Sequence, residues 1–426
     1  PRFPKTNPAA DRDGSVPEIF ISHRAGFFRR QKIILTAIFL GKLYIFAVNL
    51  KLFDMRDIRR NLYLNQLNAW KNHHVIKIIT GIRRCGKSTL LRQFHDELLS
   101  SGIEKDQIIS INMEDLSFES LHDFRELHRY VAERLIPDKM NYVLVDEIQS
   151  VEEFQKAIDS LFLKENVDIY LTGSNAYLLS GEIATLLSGR YVEIEMLPFS
   201  LEEFHTAFDE TWEQTYRHYI ATSSFPYSIN LSTEEELRQY LQGVYNTVVL
   251  KDVVQRNPIQ RTDILEKVIR YLCDNIGNLT SLKRISDTLA SSSNKVSQHT
   301  VDAYVQGLLN CYMFYKVSRY DVHGREHLRI GDKYYISDIG LRNMLLGIRP
   351  NDFGHILENV VFLELKRRGG QVFVGRAGQQ EIDFVCLRDG SASYFQVALT
   401  TRDETVLERE LSPLLSVKDH YPKTLV

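Results

Sequence analysis

The chain has few cysteines and no cysteine pattern. Its 426 residues include four, at Cys85, Cys273, Cys311 and Cys386, without a C-x-x-C pair or a histidine at ligand spacing. This scatter argues against a disulfide framework and against a zinc site. Unpaired thiols are typical of a reducing compartment, so we expect a cytoplasmic protein.

A large excess of charge of one sign is also missing. The 52 basic and 55 acidic residues leave a formal net charge of -3, so no overall field attracts the chain to nucleic acid or anionic lipid. A hydrophobic fraction of 44% with 22 Gly and 11 Pro excludes a collagen-like, low-complexity or wholly disordered chain. The length predicts two or three domains.

Methionine is missing before Met55. Residues 1–54 contain nine basic and four acidic residues, which leaves a net charge of -8 for the rest of the chain. Residues 33–50 are nearly all apolar and follow a basic patch, as in a membrane anchor. Lys42 lies at the centre of this run, where a lysine costs about 2.5 to 3.5 kcal/mol in a membrane. We expect residues 1–54 to be a non-native or upstream leader, with a membrane anchor at 33–50 as the alternative.

A phosphate-binding loop follows a short β-branched run. Residues 74–80 read HVIKIIT, as a buried parallel strand would, and continue into GIRRCGKSTLL. Gly81, Gly86, Lys87 and Ser88 fill the pattern G-x-x-x-x-G-K-[ST], in which the lysine reaches the β and γ phosphates and the serine binds Mg²⁺. An ordinary glycine turn, the alternative, does not require a strand before and a helix after. The predicted ATP contacts are Gly81, Ile82, Arg83, Arg84, Cys85, Gly86, Lys87, Ser88 and Thr89.

Two adjacent acids follow a second apolar strand. Residues 142–149 read YVLVDEIQ, and Asp146 comes 59 residues after Lys87. We expect Asp146 to hold Mg²⁺ and Glu147 to polarise the attacking water. The alternative is that both acids only favour a helix N-terminus. The phosphate loop upstream favours the catalytic interpretation.

Two further polar positions follow a third strand, residues 167–171. Ser174 and Asn175 come after it, where a polar side chain could contact the γ-phosphate or its water. Both are also ordinary turn formers. Arg190 precedes the run YVEIE and is a candidate charge-stabilising arginine, acting in its own chain or on a neighbouring subunit. The alternative is a solvated charge at a sheet edge.

Together these segments resemble a known family. GIRRCGKSTLL, INMEDL, YVLVDEIQ, YLTGSNAYLLSGEIATLLSGRYVEIEMLPFSLEEF and YYISDIGLRN are similar to prokaryotic AAA-family P-loop ATPases that carry a C-terminal domain of unknown function. The resemblance covers residues 55–426. It implies an α/β fold, with an AAA-like parallel sheet domain followed by a winged-helix domain and a nuclease-like α/β domain.

The resemblance and the residue patterns divide the downstream half. We expect a P-loop ATPase domain at 55–205 and a helical linker or lid at 206–260, in which ATSSFPYS is read as a linker. Ser223 and Ser224 replace the Gly-Gly pair usual in the family. Residues 261–345 show two amphipathic helices and a hairpin, as in a winged helix. The second helix has an outer face without Lys or Arg, which favours a protein contact over DNA readout.

Residues 346–426 resemble a nuclease fold of the PD-(D/E)xK type. The resemblance places Glu358 and Asp383 at the first two acidic positions of such a site. Gln396 and Ala398 stand where the family pattern has an acid and a lysine, so we expect no nuclease activity. The C-terminus looks truncated against the family pattern.

The function expected is that of an ATPase. ATP and Mg²⁺ are the expected cofactors, and hydrolysis would drive or gate a change in the C-terminal half. The alternative is a nucleotide-gated protein- or DNA-binding switch with negligible turnover. A protein partner or DNA, bound through the C-terminal half, and a homo-oligomer are the expected associations.

Overall fold

The computed structural model describes residues 57–179, 187, 189–254, 261–290, 296–322, 324 and 326–426, with two strands of residues 1–56. The chain divides into two units, Pro1–Arg56 and Asp57–Val426.

The first unit contains an antiparallel pair of strands. β1 (Ile33–Phe39) pairs with β2 (Lys42–Val48), and Phe39 lies opposite Lys42. The run considered as a membrane anchor therefore contains strands rather than one helix. In the part of the chain that the structure describes, no helix has the length and hydropathy needed to cross a membrane. The remainder of the expected leader lies outside the described residues.

The second unit alternates helices with strands. Among its described residues, the helices are Asn61–Ala69, Lys87–Ser100, Phe124–Ala132, Phe154–Phe162, Leu201–His205, Trp212–Ala221, Glu234–Thr247, Thr262–Asp274, Leu282–Ala290, Gln298–Asn310, Ile339–Leu346, Phe353–Arg367 and Glu404–Ser416. A π-helical segment, Val248–Val254, follows Glu234–Thr247. The strands are β3 (Ile76–Thr80), β4 (Ile108–Asn112), β5 (Asn141–Asp146), β6 (Val167–Thr172), β7 (Tyr191–Glu195), β8 (Phe314–Asp321), β9 (Glu326–Ile336), β10 (Gln371–Ala377), β11 (Gln380–Arg388), β12 (Ser391–Gln396) and β13 (Lys423–Leu425).

The first sheet of this unit is parallel throughout. Its order is β4-β5-β6-β3-β7. Every residue of β3, β5 and β6 is buried, as expected for central strands covered on both faces. Because parallel strands share one carboxyl edge, the segments after β3, β5 and β6 meet there. This arrangement confirms the expected P-loop fold class.

The second sheet is mixed and has the order β13-β12-β11-β10-β8-β9. β8 and β9 form an antiparallel hairpin, and β8 also pairs in parallel with β10. The hairpin expected as part of a separate domain therefore belongs to the same sheet as the C-terminal strands. The expected boundary at residue 345 falls between strands of one sheet.

The Ser-Pro stretch expected as a linker is part of the interior. Ser223 and Phe225 are 0% exposed and Ser224 is 4% exposed. The Asp338 carboxylate accepts hydrogen bonds from the Ser223 hydroxyl and from the backbone and side chain of Ser224. The linker interpretation was wrong because local composition does not show a partner 114 residues away.

Candidate nucleotide-binding site

The phosphate loop joins β3 to the helix Lys87–Ser100. Gly81 has φ 138° and Gly86 has φ 105°, both in the region that favours glycine. A Cβ at Gly81 would also lie 2.1 Å from the carbonyl oxygen of Met196. Met196 is held there because its N–H donates to the Thr80 carbonyl at 2.8 Å. The backbone of the loop thus depends on glycine for its angles and for its packing.

Lys87 lies inside the loop. Its side chain is buried, and Nζ donates to the carbonyl oxygens of Gly81 at 3.0 Å and Ile82 at 3.3 Å. The same Nζ is 4.0 Å from Glu147 Oε1. The structure therefore brings the predicted phosphate-binding lysine next to the predicted catalytic acid.

Asp146 ends β5 on the same edge of the sheet. One of its oxygens accepts a hydrogen bond from Thr172 Oγ1 at 2.5 Å. Burial raises the pKa of Asp146, while hydrogen bonds from Thr172 and Ser88 oppose that increase. The two predicted Mg²⁺ ligands, Ser88 and Asp146, are thus neighbours. A hydroxyl and a carboxylate are oxygen ligands of the kind that Mg²⁺ prefers, so the residues fit the ion.

Glu147 is held by polar groups on two sides. Gln149 Nε2 donates to Glu147 Oε2, and the Ser174 hydroxyl lies 3.5 Å from the same oxygen. The Glu147 N–H donates to Thr172 Oγ1 at 2.9 Å. Asn175, the next residue after Ser174, is fully buried at this edge. Three strand ends therefore contribute to one site, as their motifs predicted.

Arg190 lies at the other end of the sheet. Its carbonyl oxygen accepts a hydrogen bond from the N–H of Ile76, the first residue of β3, and its guanidinium pairs with Asp159. The phosphate loop begins after Thr80, about 13 Å further along the strand at about 3.3 Å per residue. The structure does not bring Arg190 to the phosphate loop of its own chain. Action on a neighbouring subunit stays a prediction.

Comparisons with known proteins agree with this geometry. Residues 73–205 match the AAA domain family, and residues 213–352 match a domain of unknown function, DUF8612. An uncharacterized protein of Haemophilus influenzae is 39% identical over 375 residues, covering 87% of this chain and 93% of that protein. The chain and this relative belong to one family of AAA-type P-loop proteins.

Other similar proteins cover between 68% and 89% of this chain. An uncharacterized protein of Methanocaldococcus jannaschii is 29% identical over 402 residues, which are 89% of this chain and 85% of that protein. Among solved structures, a Walker-type ATPase of Pyrococcus abyssi is similar over 68% of this chain and 95% of that chain, at 17% identity and a TM-score of 0.48. The Aeropyrum pernix ORC1 protein in complex with DNA covers 68% of this chain and 92% of its own, at 12% identity and a TM-score of 0.30.

Arg60 is a buried residue that precedes the phosphate loop in the chain and holds the loop in place by hydrogen bonds. Sequence analysis did not identify it. Arg60 is 2% exposed. Its guanidinium donates to the Cys85 carbonyl at 2.9 Å, to the Leu197 carbonyl at 2.7 Å and to Glu203 at 2.8 Å. It therefore connects the loop to the turn after β7. No motif distinguishes it, because its partners lie between 25 and 143 residues away.

A second polar cluster of the AAA-type chain lies near the second sheet. Lys333 Nζ is 2.8 Å from Glu358, 2.9 Å from Glu381 and 3.9 Å from Asp383. The family pattern has its lysine at the position of Ala398, just after β12, but Lys333 comes from β9. Burial, with the nearby charge of Glu358, raises the pKa of Asp383 to about 7.

Gln396 makes hydrogen bonds at the edge of this polar cluster, to Asp383 and to Glu410. Its Oε1 accepts a hydrogen bond from the Asp383 N–H at 3.3 Å, and its Nε2 donates to Glu410 at 3.0 Å. Within the described part of the chain, no group of three or more His, Cys, Asp or Glu side chains is arranged to hold a metal ion. The acids that the nuclease resemblance singled out meet, but around an ammonium group.

Proposed function

We propose that this protein is a Mg²⁺-dependent ATPase that couples ATP hydrolysis to its C-terminal half. The observation that carries the proposal is the position of Glu147, whose carboxylate lies 4.0 Å from the ammonium of Lys87 and next to Asp146. A general base must lie within reach of the reacting centre, and the phosphate loop defines that centre.

The residues divide the work by their chemistry. Lys87 and the loop backbone bind the phosphates, and the Ser88 hydroxyl and the Asp146 carboxylate would hold Mg²⁺, which neutralises charge on the phosphates when bound. Glu147 orients and polarises the attacking water. Gln149 and Ser174 keep the Glu147 side chain at the loop. Asn175 remains a proposed contact to the γ-phosphate or the water.

Direct contacts between β7 and the downstream half support the coupling. The Thr80 hydroxyl, next to the phosphate loop, donates to Glu193 at 2.6 Å, and the Tyr312 hydroxyl donates to the same oxygen at 3.2 Å. Lys366 pairs with Glu195 at 2.8 Å. A change in the loop that moves Thr80 would therefore act on Tyr312 through Glu193, and a movement of β7 would act on Lys366 through Glu195. A protein partner or DNA bound to the downstream half would respond to this movement.

Phosphate release by wild type and by Glu147→Gln tests the enzyme proposal. We expect the variant to bind ATP and to release phosphate about 10² to 10⁴ times more slowly, the usual contribution of a general base. Glu165→Gln is the matched control, because Glu165 is an exposed acid in the turn before β6, and it should keep the wild-type rate. Equal, slow rates in wild type and Glu147→Gln would contradict hydrolysis.

A nucleotide-gated switch with negligible turnover is the second candidate. The contacts of Gln149 and Ser174 with Glu147 favour it, since both groups engage the Oε2 oxygen, which is then not free to accept a hydrogen bond from an attacking water. The same phosphate-release assay with double-stranded DNA present separates the ATPase from the switch. A rate of phosphate release that rises with DNA supports an ATPase coupled to nucleic acid. Tight ATP binding without release under either condition supports the switch.

A further inference from the structure

Arg83 links the phosphate loop to the downstream helices. It lies between the two glycines of the loop, and its Nε donates to Asp252 Oδ2 at 2.7 Å. Its Nη1 is 3.8 Å from Glu114. The side chain of Arg83 is 16% exposed and that of Asp252 is 1% exposed. This is therefore a largely buried ion pair, in which geometry and charge matter more than at a surface.

Asp252 belongs to the downstream half of the unit. It lies in the π-helical segment Val248–Val254, whose Val248 and Val253 are 0% exposed. These valines share one hydrophobic cluster with the helices Thr262–Asp274 and Gln298–Asn310. A movement of Asp252 relative to the loop would consequently be transmitted to helices of the downstream half.

The charges around Arg83 connect it to the catalytic acid. Burial lowers its pKa, but the hydrogen bond and charge of Asp252, with the charges of Glu147 and Glu114, raise it above the usual value. The guanidinium therefore lies within the electrostatic influence of Glu147. A γ-phosphate bound in the loop would offer the same fork of donors a more highly charged acceptor than a carboxylate.

We propose that Arg83 exchanges Asp252 for the γ-phosphate when ATP binds. The inference rests on the proposed ATP site and adds its regulation. Without ATP, Arg83 holds the loop to the π-helical segment. With ATP, Arg83 stabilises the negative charge of the γ-phosphate and the segment is released from the loop. This gives the site an arginine from its own chain, a role for which Arg190 is badly placed.

The exchange predicts that substitutions of Asp252 and of Arg83 change the affinity for ATP in opposite directions. Since ATP must displace Asp252, Asp252→Asn should tighten ATP binding about tenfold, within the usual range of coupling between sites. ADP lacks the γ-phosphate, so its affinity should change by less than about twofold. Arg83→Gln should weaken ATP binding and should cancel the effect of Asp252→Asn when the two are combined. Arg83→Lys should retain part of the preference for ATP.

The experiment is a calorimetric titration of the full chain with ATP and with ADP, in the Glu147→Gln background to stop turnover. Asp263→Asn is the control, because Asp263 is an exposed acid paired with Arg261 at 2.7 Å on the helix Thr262–Asp274, and it should change neither affinity. Hydrogen exchange in residues 248–254 should rise with ATP and not with ADP. Thermal unfolding without nucleotide identifies variants that fail to fold.

The outcomes separate the two proposals. The exchange is overturned if Asp252→Asn weakens ATP binding, tightens ATP and ADP alike, or has the same effect when Arg83 is Gln. Hydrolysis alone fails if the wild type binds ATP tightly with the expected variant effects but releases no phosphate. A wild type that binds neither nucleotide overturns both proposals.

Discussion

At the scale of single residues, Asp146 and Glu147 are neighbours with different surroundings. Asp146 contacts hydroxyl groups, whereas Glu147 contacts an amide as well as a hydroxyl and lies near the Lys87 ammonium. Glu147 has φ 55°, a left-handed conformation that costs a non-glycine residue about 1 to 2 kcal/mol. Strain of this kind is typical of functional sites. The left-handed turn at Glu147 interrupts the alternation of side chains between the two faces of the sheet that β5 would otherwise continue. Both acids therefore remain at the phosphate loop.

Asp383 should make stability depend on pH. Its folded pKa of about 7 is above the value of about 3.9 in an unfolded chain. The folded state therefore binds more protons between these values, and its stability decreases as pH rises from about 4 to 7. The loss should reach up to about 4 kcal/mol, since each pKa unit is worth about 1.4 kcal/mol.

Urea unfolding of wild type and Asp383→Asn at pH 5 and pH 8 measures this effect. The wild type should lose stability relative to the variant at the higher pH. Asp389→Asn, which changes an exposed acid after β11, should follow the wild type at both values. A wild type that gains stability relative to Asp383→Asn at pH 8 would show that Asp383 is held as a carboxylate.

At the scale of elements, Asp338 positions a helix and a buried turn together. Its Oδ1 accepts from the Leu341 N–H at 2.8 Å at the start of the helix Ile339–Leu346, and its Oδ2 accepts from Ser224 at 2.7 Å. Burial raises its pKa, against these hydrogen bonds. A Cβ at Gly340 would lie 2.3 Å from the Thr222 carbonyl. The segment YYISDIGLRN therefore packs against residues 221–228, the Ser-Pro stretch that was predicted to be a linker, and holds it in the interior.

Replacement of Asp338 by Ala should be strongly destabilising. The change leaves buried N–H groups of Ser224 and Leu341 without their acceptor, at a cost of about 3 kcal/mol or more in the free energy of unfolding. Chemical denaturation measures it. Asp403→Ala is the control, because Asp403 begins the helix Glu404–Ser416 in the same way but is exposed, so its loss should be much smaller. Equal losses would contradict the role of burial.

At the scale of the whole molecule, the unit Asp57–Val426 has a shared interior. One hydrophobic cluster includes Tyr63 and Leu91 near the phosphate loop, Val305 among the middle helices, and Phe384 in the second sheet. Arg367 adds a polar contact, since it donates to the Pro198 carbonyl at 3.0 Å after β7. The domain boundaries predicted from the sequence fall after residues 205, 260 and 345, and the shared hydrophobic cluster crosses each of them.

This unit should therefore unfold in one transition. Calorimetry of the Glu147→Gln chain should show a single main peak for it, because separating any part would expose the shared cluster to water. ATP at about 100 times its dissociation constant should move the whole peak, adding about 2.7 kcal/mol. Two separated peaks, of which only one responds to ATP, would show independent domains.

The sequence alone determined the parts of the candidate nucleotide site, since these parts are local. The glycines of the loop, Lys87, Ser88, Asp146 and Glu147 each follow a recognisable strand, and parallel strands bring such ends together. The tertiary structure decided the contacts made over long separations. Arg83 with Asp252, Lys333 with three acids and Asp338 with the Ser-Pro stretch have no periodicity or spacing that marks them. These contacts arise only when packing of apolar faces brings distant elements together and leaves their buried polar groups to pair.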